Sequence, residues 1–408
     1  MTVKKINRPK YLDFLIRSKD MRTIKAISGI RRCGKSALLD TYRNWLTDNG
    51  VAQEQIISIN FEEPGYEHIS DYRSLYNHIK PLLLPDKVCY VFLDEIQHVR
   101  RYEIALDSLF FKRNVDLYIS GSNAYFMSGE LATLLTGRYT ELKMFPLSFA
   151  EYCEGIALYA PDSLTGKTEK YASYTNESAL PYVLRLGGRK EDVREYLSGI
   201  YSGIMLKDIV ARLRVSDVIT LESIVRFLLK NTGTLLSANK IANAMTSAGR
   251  KIDQKTAEKY VKGLLDSLLI YQAKRYDIKG KQYLSSLEKY YAADIGLRQY
   301  LLGSADVSED HVLENLVYLE LIRRGNDVYA GHLPDGNVDF AAINSEGIAY
   351  YQVAARVSDK KNLRRKLANL KKTRDNNPKF LLTLDETDTK TNHKGIEQLN
   401  ALDWLLAE

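Results

Sequence analysis

The sequence predicts an α/β fold: a largely parallel sheet, then a mainly helical region, then a second, smaller α/β region. Three observations carry this reading. Residues 23–152 alternate short apolar runs with helical patterns of ten to fifteen residues, the signature of strands joined by crossover helices. Residues 221–293 run helix, helix, helix and then two strands, and the last hundred residues return to alternation. The chain of 408 residues is 45% apolar and 27% charged, enough for two or three packed cores. Nine prolines and three cysteines (Cys33, Cys89 and Cys153) exclude a collagen-like chain, a disulfide scaffold and a cysteine-built zinc site. No apolar run reaches the eighteen residues of a membrane span, and the opening MTVKKINRPKYLDFL lacks the apolar centre of a signal peptide. A cytoplasmic protein without a membrane partner is the expectation.

Taken in order, residues 23–28, 56–60, 89–93, 115–120 and 140–144 are strand-like, with helical patterns at 35–45 and 71–84 between them. Residues 161–178 are polar, rich in Ser, Thr, Lys and Tyr, and read as a loop. Apolar residues at helical spacing resume at 193–213. Helices are expected at 221–230, 238–247 and 254–269, and strands at 271–276 and 283–292. Beyond them come a helix at 310–324, strands near 327–331, 338–343 and 349–353, a basic helix at 360–374, and a strand at 379–384.

The most specific local pattern is Gly29-Ile30-Arg31-Arg32-Cys33-Gly34-Lys35-Ser36, followed by Ala37, which fits G-x-x-x-x-G-K-[ST]. It follows a strand and opens a helix, the context in which such a loop cradles phosphates. Its glycines let backbone N–H groups face the anion, and the helix N-terminus adds partial positive charge. Lys35 is expected to reach the β and γ phosphates of ATP, and Ser36 to ligate Mg²⁺. The run CYVFLDE reads as a buried strand ending in Asp94, which would hold Mg²⁺, and Glu95, which would polarise the attacking water. Asn123 ends the next strand, where a polar side chain can sense the γ phosphate. Arg138, in LTGRY, is a candidate arginine finger, acting in cis or from a neighbouring subunit, and an arginine on a solvated face is the other reading the sequence leaves open. Cys33 lies where a helix N-terminus can depress a thiol pKa, though a tolerated residue is the simpler reading.

These residues carry a family resemblance. Residues 24–152 resemble the AAA-like, additional-strand P-loop ATPases of bacteria and archaea. In particular they resemble a prokaryotic family that joins such a domain to a C-terminal domain of unknown function. The matching text is GIRRCGKSALL, INFEEP, VFLDEIQHV, SGSNAYFMSGELATLLTGRY and FPLSFAEY. Further on come YLSGIYSGIMLKDIVAR, ENLVYLELIRRG, VDF, NNPKFLLTLDE and GIEQLNALDWLL. The resemblance gives Lys35, Ser36, Asp94, Glu95 and Asn123 the Walker and sensor roles and Arg138 the finger role. Where the family has Gly-Gly before Leu-Pro, this chain has Ser178-Ala179 before Leu180-Pro181. The division it implies is an ATPase domain at 1–155, a linker and helical lid at 156–218, a winged-helix domain at 219–295, and a nuclease-like domain at 296–408.

Lys255, Lys259 and Lys262 share one face of the third middle helix, and the two strands after it read as a wing, a plan that suits contacts to duplex DNA phosphates. Lid and protein-docking modules share that plan, so the sequence leaves both uses open. In the last region, Glu314, Asp339 and Gln352-Val353-Ala354 follow the order of the PD-(D/E)XK nuclease fold. Gln352 stands in the second acid's place and Ala354 in the lysine's, with Arg356 as a displaced cation, so a degenerate remnant without nuclease activity is expected. The expected function is a slow ATPase, dependent on ATP and Mg²⁺, whose nucleotide state controls DNA binding through Lys255, Lys259, Lys262 and the helix at 360–374. A signalling or remodelling ATPase with a protein partner and an ATP-gated nuclease are the alternatives. Oligomeric state is not encoded in any motif.

Overall fold

A computed structural model describes residues 6–123, 135–160, 164–303, 308–357, 360–385 and 391–407. The chain forms two compact units, one of residues 1–146 with 266–268, the other of 147–265 with 269–408. Among the described residues no helix is long and apolar enough to cross a membrane.

The first unit is built on a five-stranded, all-parallel sheet of β1 (Ile24–Ser28), β2 (Ile56–Asn60), β3 (Cys89–Asp94), β4 (Val115–Gly121) and β5 (Tyr139–Lys143). Their order is β2-β3-β4-β1-β5. All five expected strand runs are present. Strands β1 and β3 are buried along their whole length, as strands covered on both faces must be. Among the described residues, four helices flank the sheet: α1 (Pro9–Arg17), α2 (Lys35–Asp48), α3 (Tyr72–Ile79) and α4 (Tyr102–Phe110). One core joins Ala26, Val91, Leu93 and Ile119 of the strands to Leu75, Ile79, Leu106 and Leu109 of α3 and α4.

The second unit begins with α5 (Phe149–Tyr159), α6 (Lys167–Asn176) and α7 (Lys190–Gly203). Helix α6 corrects the loop expected at 161–178, residues 161–163 of which lie outside the described residues. It buries Tyr171, Tyr174 and Thr175 among polar neighbours, so its apolar stripe is aromatic and narrow. After α7 the chain passes through a π-helical stretch, Ile204–Val210. Then come α8 (Val218–Lys230), α9 (Ala238–Ser247) and α10 (Gln254–Asp266). A bridge between Leu236 and Glu288 ties the start of α9 to the following hairpin.

That hairpin, β6 (Ile270–Asp277) and β7 (Gln282–Ala292), does not stand apart from the C-terminal region as the boundary at 295/296 implies. It extends one eight-stranded mixed sheet with β8 (Asp327–Leu333), β9 (Gly336–Asn344), β10 (Gly347–Ala354), β11 (Lys379–Thr383), β12 (Thr391–Asn392) and β13 (Glu397–Asn400). The order is β12-β13-β11-β10-β9-β8-β6-β7, with β6 parallel to β8. Helix α11 (Ile295–Leu302) follows β7. One core, against α12 (Glu309–Arg323) and α14 (Ala401–Leu406), includes Val317, Phe340, Val353 and Ala401. A second, against α13 (Lys360–Lys371), includes Tyr276, Val338, Tyr350, Leu367 and Leu370.

Candidate nucleotide site

The turn from β1 into α2 is set by two glycines. Gly34 has φ 112°, a conformation that side chains disfavour. Gly29 lies so close to the chain after β5 that a Cβ there would sit 2.3 Å from the Met144 carbonyl oxygen. Helix α2 starts at Gly34 with no side-chain cap, so its first N–H groups are left to the loop and whatever the loop holds. Arg8, just ahead of α1 and buried, donates to the Cys33 carbonyl at 3.0 Å and to the Phe145 carbonyl at 3.0 Å, pinning the loop to the end of β5. Arg31 pairs with Glu62 at 2.9 Å. Cys33 is fully buried, and burial pushes its thiol pKa up rather than down.

Lys35 Nζ donates to the Gly29 carbonyl at 3.0 Å and lies 3.3 Å from a Glu95 oxygen. Burial disfavours the ammonium, but Glu95 and other anionic neighbours outweigh it and raise its pKa. Asp94 ends β3, where the Ser120 hydroxyl of β4 donates to it and Ser36 hydrogen-bonds it. Its burial pushes the carboxyl up against those bonds. Glu95 then leaves the strand with φ 54°, a left-handed turn for a residue with a side chain. Its N–H donates to Ser120 Oγ at 3.1 Å. Although burial opposes its charge, Lys35, Gln97 and Ser122 hold the Glu95 carboxyl below the ordinary range. Gln97 bridges the two strand ends, donating to Glu95 and, at 3.2 Å, to Ser122. Asn123 is buried at this same end of the sheet. Gln97 and Ser120 lie inside the quoted segments VFLDEIQHV and SGSNAYF without a role assigned to them, and Arg8 belongs to no motif.

Arg138 is not brought to this cluster. It precedes β5, and its carbonyl accepts from Ile24 N–H at the opposite end of the sheet, one strand length (about 15 Å) from the loop. Its guanidinium pairs with Asp107 and lies 5.0 Å from the Phe111 ring centroid. A finger role in cis does not fit this position. Residues 124–134 of the quoted motif lie outside the described residues.

The nuclease-like positions do converge, with unexpected company. Gln352 Nε2 donates to Asp339 Oδ2 at 2.6 Å. Lys289 of β7 lies 2.8 Å from Glu314 and 3.7 Å from Asp339, and Lys366 of α13 lies 3.3 Å from Asp339. Tyr291 OH donates to Glu314 at 2.8 Å. Arg356, the cation the sequence offered, is exposed and lies 3.7 Å from Glu309 instead. Two carboxylates therefore meet two protein ammonium groups.

A glycine-shaped loop before an uncapped helix, with a lysine over a strand-end acid pair, defines the nucleotide site of a P-loop ATPase. A family described as "AAA domain" matches residues 21–153, and a domain of unknown function, DUF8612, matches residues 168–308. An uncharacterized protein of Haemophilus influenzae is 38% identical over 403 residues, 98% of each chain. One from Methanocaldococcus jannaschii is 28% identical over 317 residues, 74% of this chain and 67% of its own. A Walker-type ATPase of Pyrococcus abyssi shares the fold with a TM-score of 0.52 at 16% identity, over 73% of this chain and 96% of that one. The chain belongs to the family of AAA-type P-loop ATPases that carry a C-terminal domain of unknown function.

Proposed function

We propose that this ATP-binding ATPase hydrolyses ATP slowly and uses its nucleotide state to control a grip on DNA. The observation that carries the reading is the pairing of a complete Walker cluster with cation-rich surfaces in the second unit. The residues fit ATP with Mg²⁺: residues 29–36 cradle the triphosphate, and Ser36 and Asp94, already bonded to each other, are the metal's ligands. The metal supplies charge neutralisation at the phosphates. Glu95 orients and deprotonates the attacking water, and Asn123 reports on the γ phosphate. Lys35, Gln97 and Ser122 occupy the Glu95 carboxylate, so it is a weak base until Lys35 turns toward a phosphate. That is the physical ground for slow basal turnover.

The order α8, bridged Leu236, α9, α10, β6, β7 supports a winged helix, with Lys255, Lys259 and Lys262 exposed on α10. Such lysines hold duplex DNA by its phosphates without reading sequence. The C-terminal region serves as a binding surface without nuclease activity, because Lys289 and Lys366 already balance its acids. The test is ATP turnover of wild type and Glu95→Gln, with and without duplex DNA, at low and moderate salt. Stimulation by DNA that fades with salt and is absent in Glu95→Gln is the expected result. Turnover indifferent to DNA but raised by a protein partner would replace this reading with a remodelling ATPase.

A further inference from the structure

Two basic segments of the second unit, the β6–β7 turn and α13, lie on one face of its sheet. Residues 360–374 hold eight Lys or Arg and no acid, and residues 274–283 hold four with one acid, in a chain whose total is only +7, so the rest of the molecule is net acidic. Within the first group Lys366 turns inward to Asp339 and Lys372 donates to the Asp335 carbonyl at 2.6 Å, while Arg364, Arg365, Lys371 and Arg374 are exposed. In the second group the lone acid, Asp277, accepts from the N–H groups of Lys279 and Gly280 at 3.1 Å each. It thereby fixes the β6–β7 turn with Lys279 and Lys281 exposed at its tip.

Beside that tip lies a tyrosine cluster. Tyr276, Tyr283 and Tyr329 stand on neighbouring strands β6, β7 and β8, with ring centroids 5.0–6.0 Å apart. Tyr276 is buried and anchors the group in the core that also holds Leu367 and Leu370 of α13, so the tyrosines and the basic helix share one face. Tyr283 is 64% exposed, an unusual outlay of apolar surface for a ring supported from below. A rigid, half-open aromatic platform flanked by lysines is what an unpaired base and its phosphates require. A duplex, whose bases are already stacked, uses the charge but not the ring.

We infer that this face binds single-stranded nucleic acid, with a base stacked on Tyr283 and the backbone running past Lys279 and Lys281 toward α13. The inference rests on the DNA-binding reading and deepens it. The test is fluorescence anisotropy of the full-length protein with 20-nucleotide oligo-dT, oligo-U and a duplex of equal length, over a salt series. Wild type should prefer the single strands, with oligo-dT against oligo-U showing which sugar is accepted. Tyr283→Ala should weaken single-strand binding about five- to a hundredfold, leave its salt slope unchanged, and spare the duplex; Tyr283→Phe should restore it. Lys279→Glu with Lys281→Glu should flatten the salt slope. Equal single-strand and duplex affinity, untouched by Tyr283→Ala, would overturn this inference alone. Absence of binding to all three probes would overturn it together with the DNA-binding reading.

Discussion

The two carboxylate–lysine clusters of this chain are assembled from nearly the same groups and differ in charge balance. At the phosphate loop, Asp94 and Glu95 meet one lysine, Lys35, so a negative charge is left over beside N–H groups that no side chain caps. In the second unit, Glu314 and Asp339 meet two lysines, Lys289 and Lys366; Tyr291 donates to the same Glu314 oxygen as Lys289, and Gln352 to the same Asp339 oxygen as Lys366. The first arrangement has use for a divalent cation and a polyanion; the second supplies its own cations. A pair of acids at strand ends is therefore not a metal site until the cations packed around it have been counted. Burying two like charges is tolerated only when each is paired and hydrogen-bonded, and the lysines meet that requirement.

The largest expected effect breaks the second cluster. Lys289→Met strands Glu314 in the interior, and urea unfolding should show a loss of about 3–5 kcal/mol. Adding Glu314→Gln should return most of it, since the uncompensated charge is then gone. A Lys289→Met protein as stable as wild type would mean that the lysine does not close the site. Next in size, Glu95→Gln should lower turnover about a hundredfold or more while the ATP-induced rise in melting temperature persists. The corresponding change in the other cluster, Asp339→Asn, should leave turnover per folded chain as it was. Gly29→Ala sharpens the geometric side: its Cβ meets the Met144 carbonyl. The expected cost is about 1–3 kcal/mol of stability, with loss of the ATP-induced thermal shift.

The nucleotide site was legible because its parts are local. Eight consecutive residues make the loop, and one strand delivers Asp94 and Glu95 together. What escaped was everything that arrives from far along the chain. Arg8 reaches across 137 residues to Phe145, and no local pattern marks a lone arginine ahead of a helix as a clamp. Lys289 and Lys366 come from a strand and a helix outside the acid motif, so the empty lysine position at Ala354 gave a false impression of a site without cations. The basic helix hid Lys366 among its neighbours, because composition does not say which lysine turns inward. Arg138 misled in the opposite sense: it sits close in sequence to the β5 end of the site, yet a parallel strand places its two ends a full strand length apart. The shared sheet escaped too. Pairing of β6 with β8 joins segments about fifty residues apart, and each hairpin alone looks complete.

The difference between the clusters is tested most directly by counting bound Mn²⁺, a paramagnetic stand-in for Mg²⁺, by electron paramagnetic resonance with saturating ATP. Wild type should bind one Mn²⁺ per chain. Asp94→Asn should lose it, and Asp339→Asn should keep it. A second Mn²⁺ per chain, present in wild type and removed by Asp339→Asn, would contradict the account.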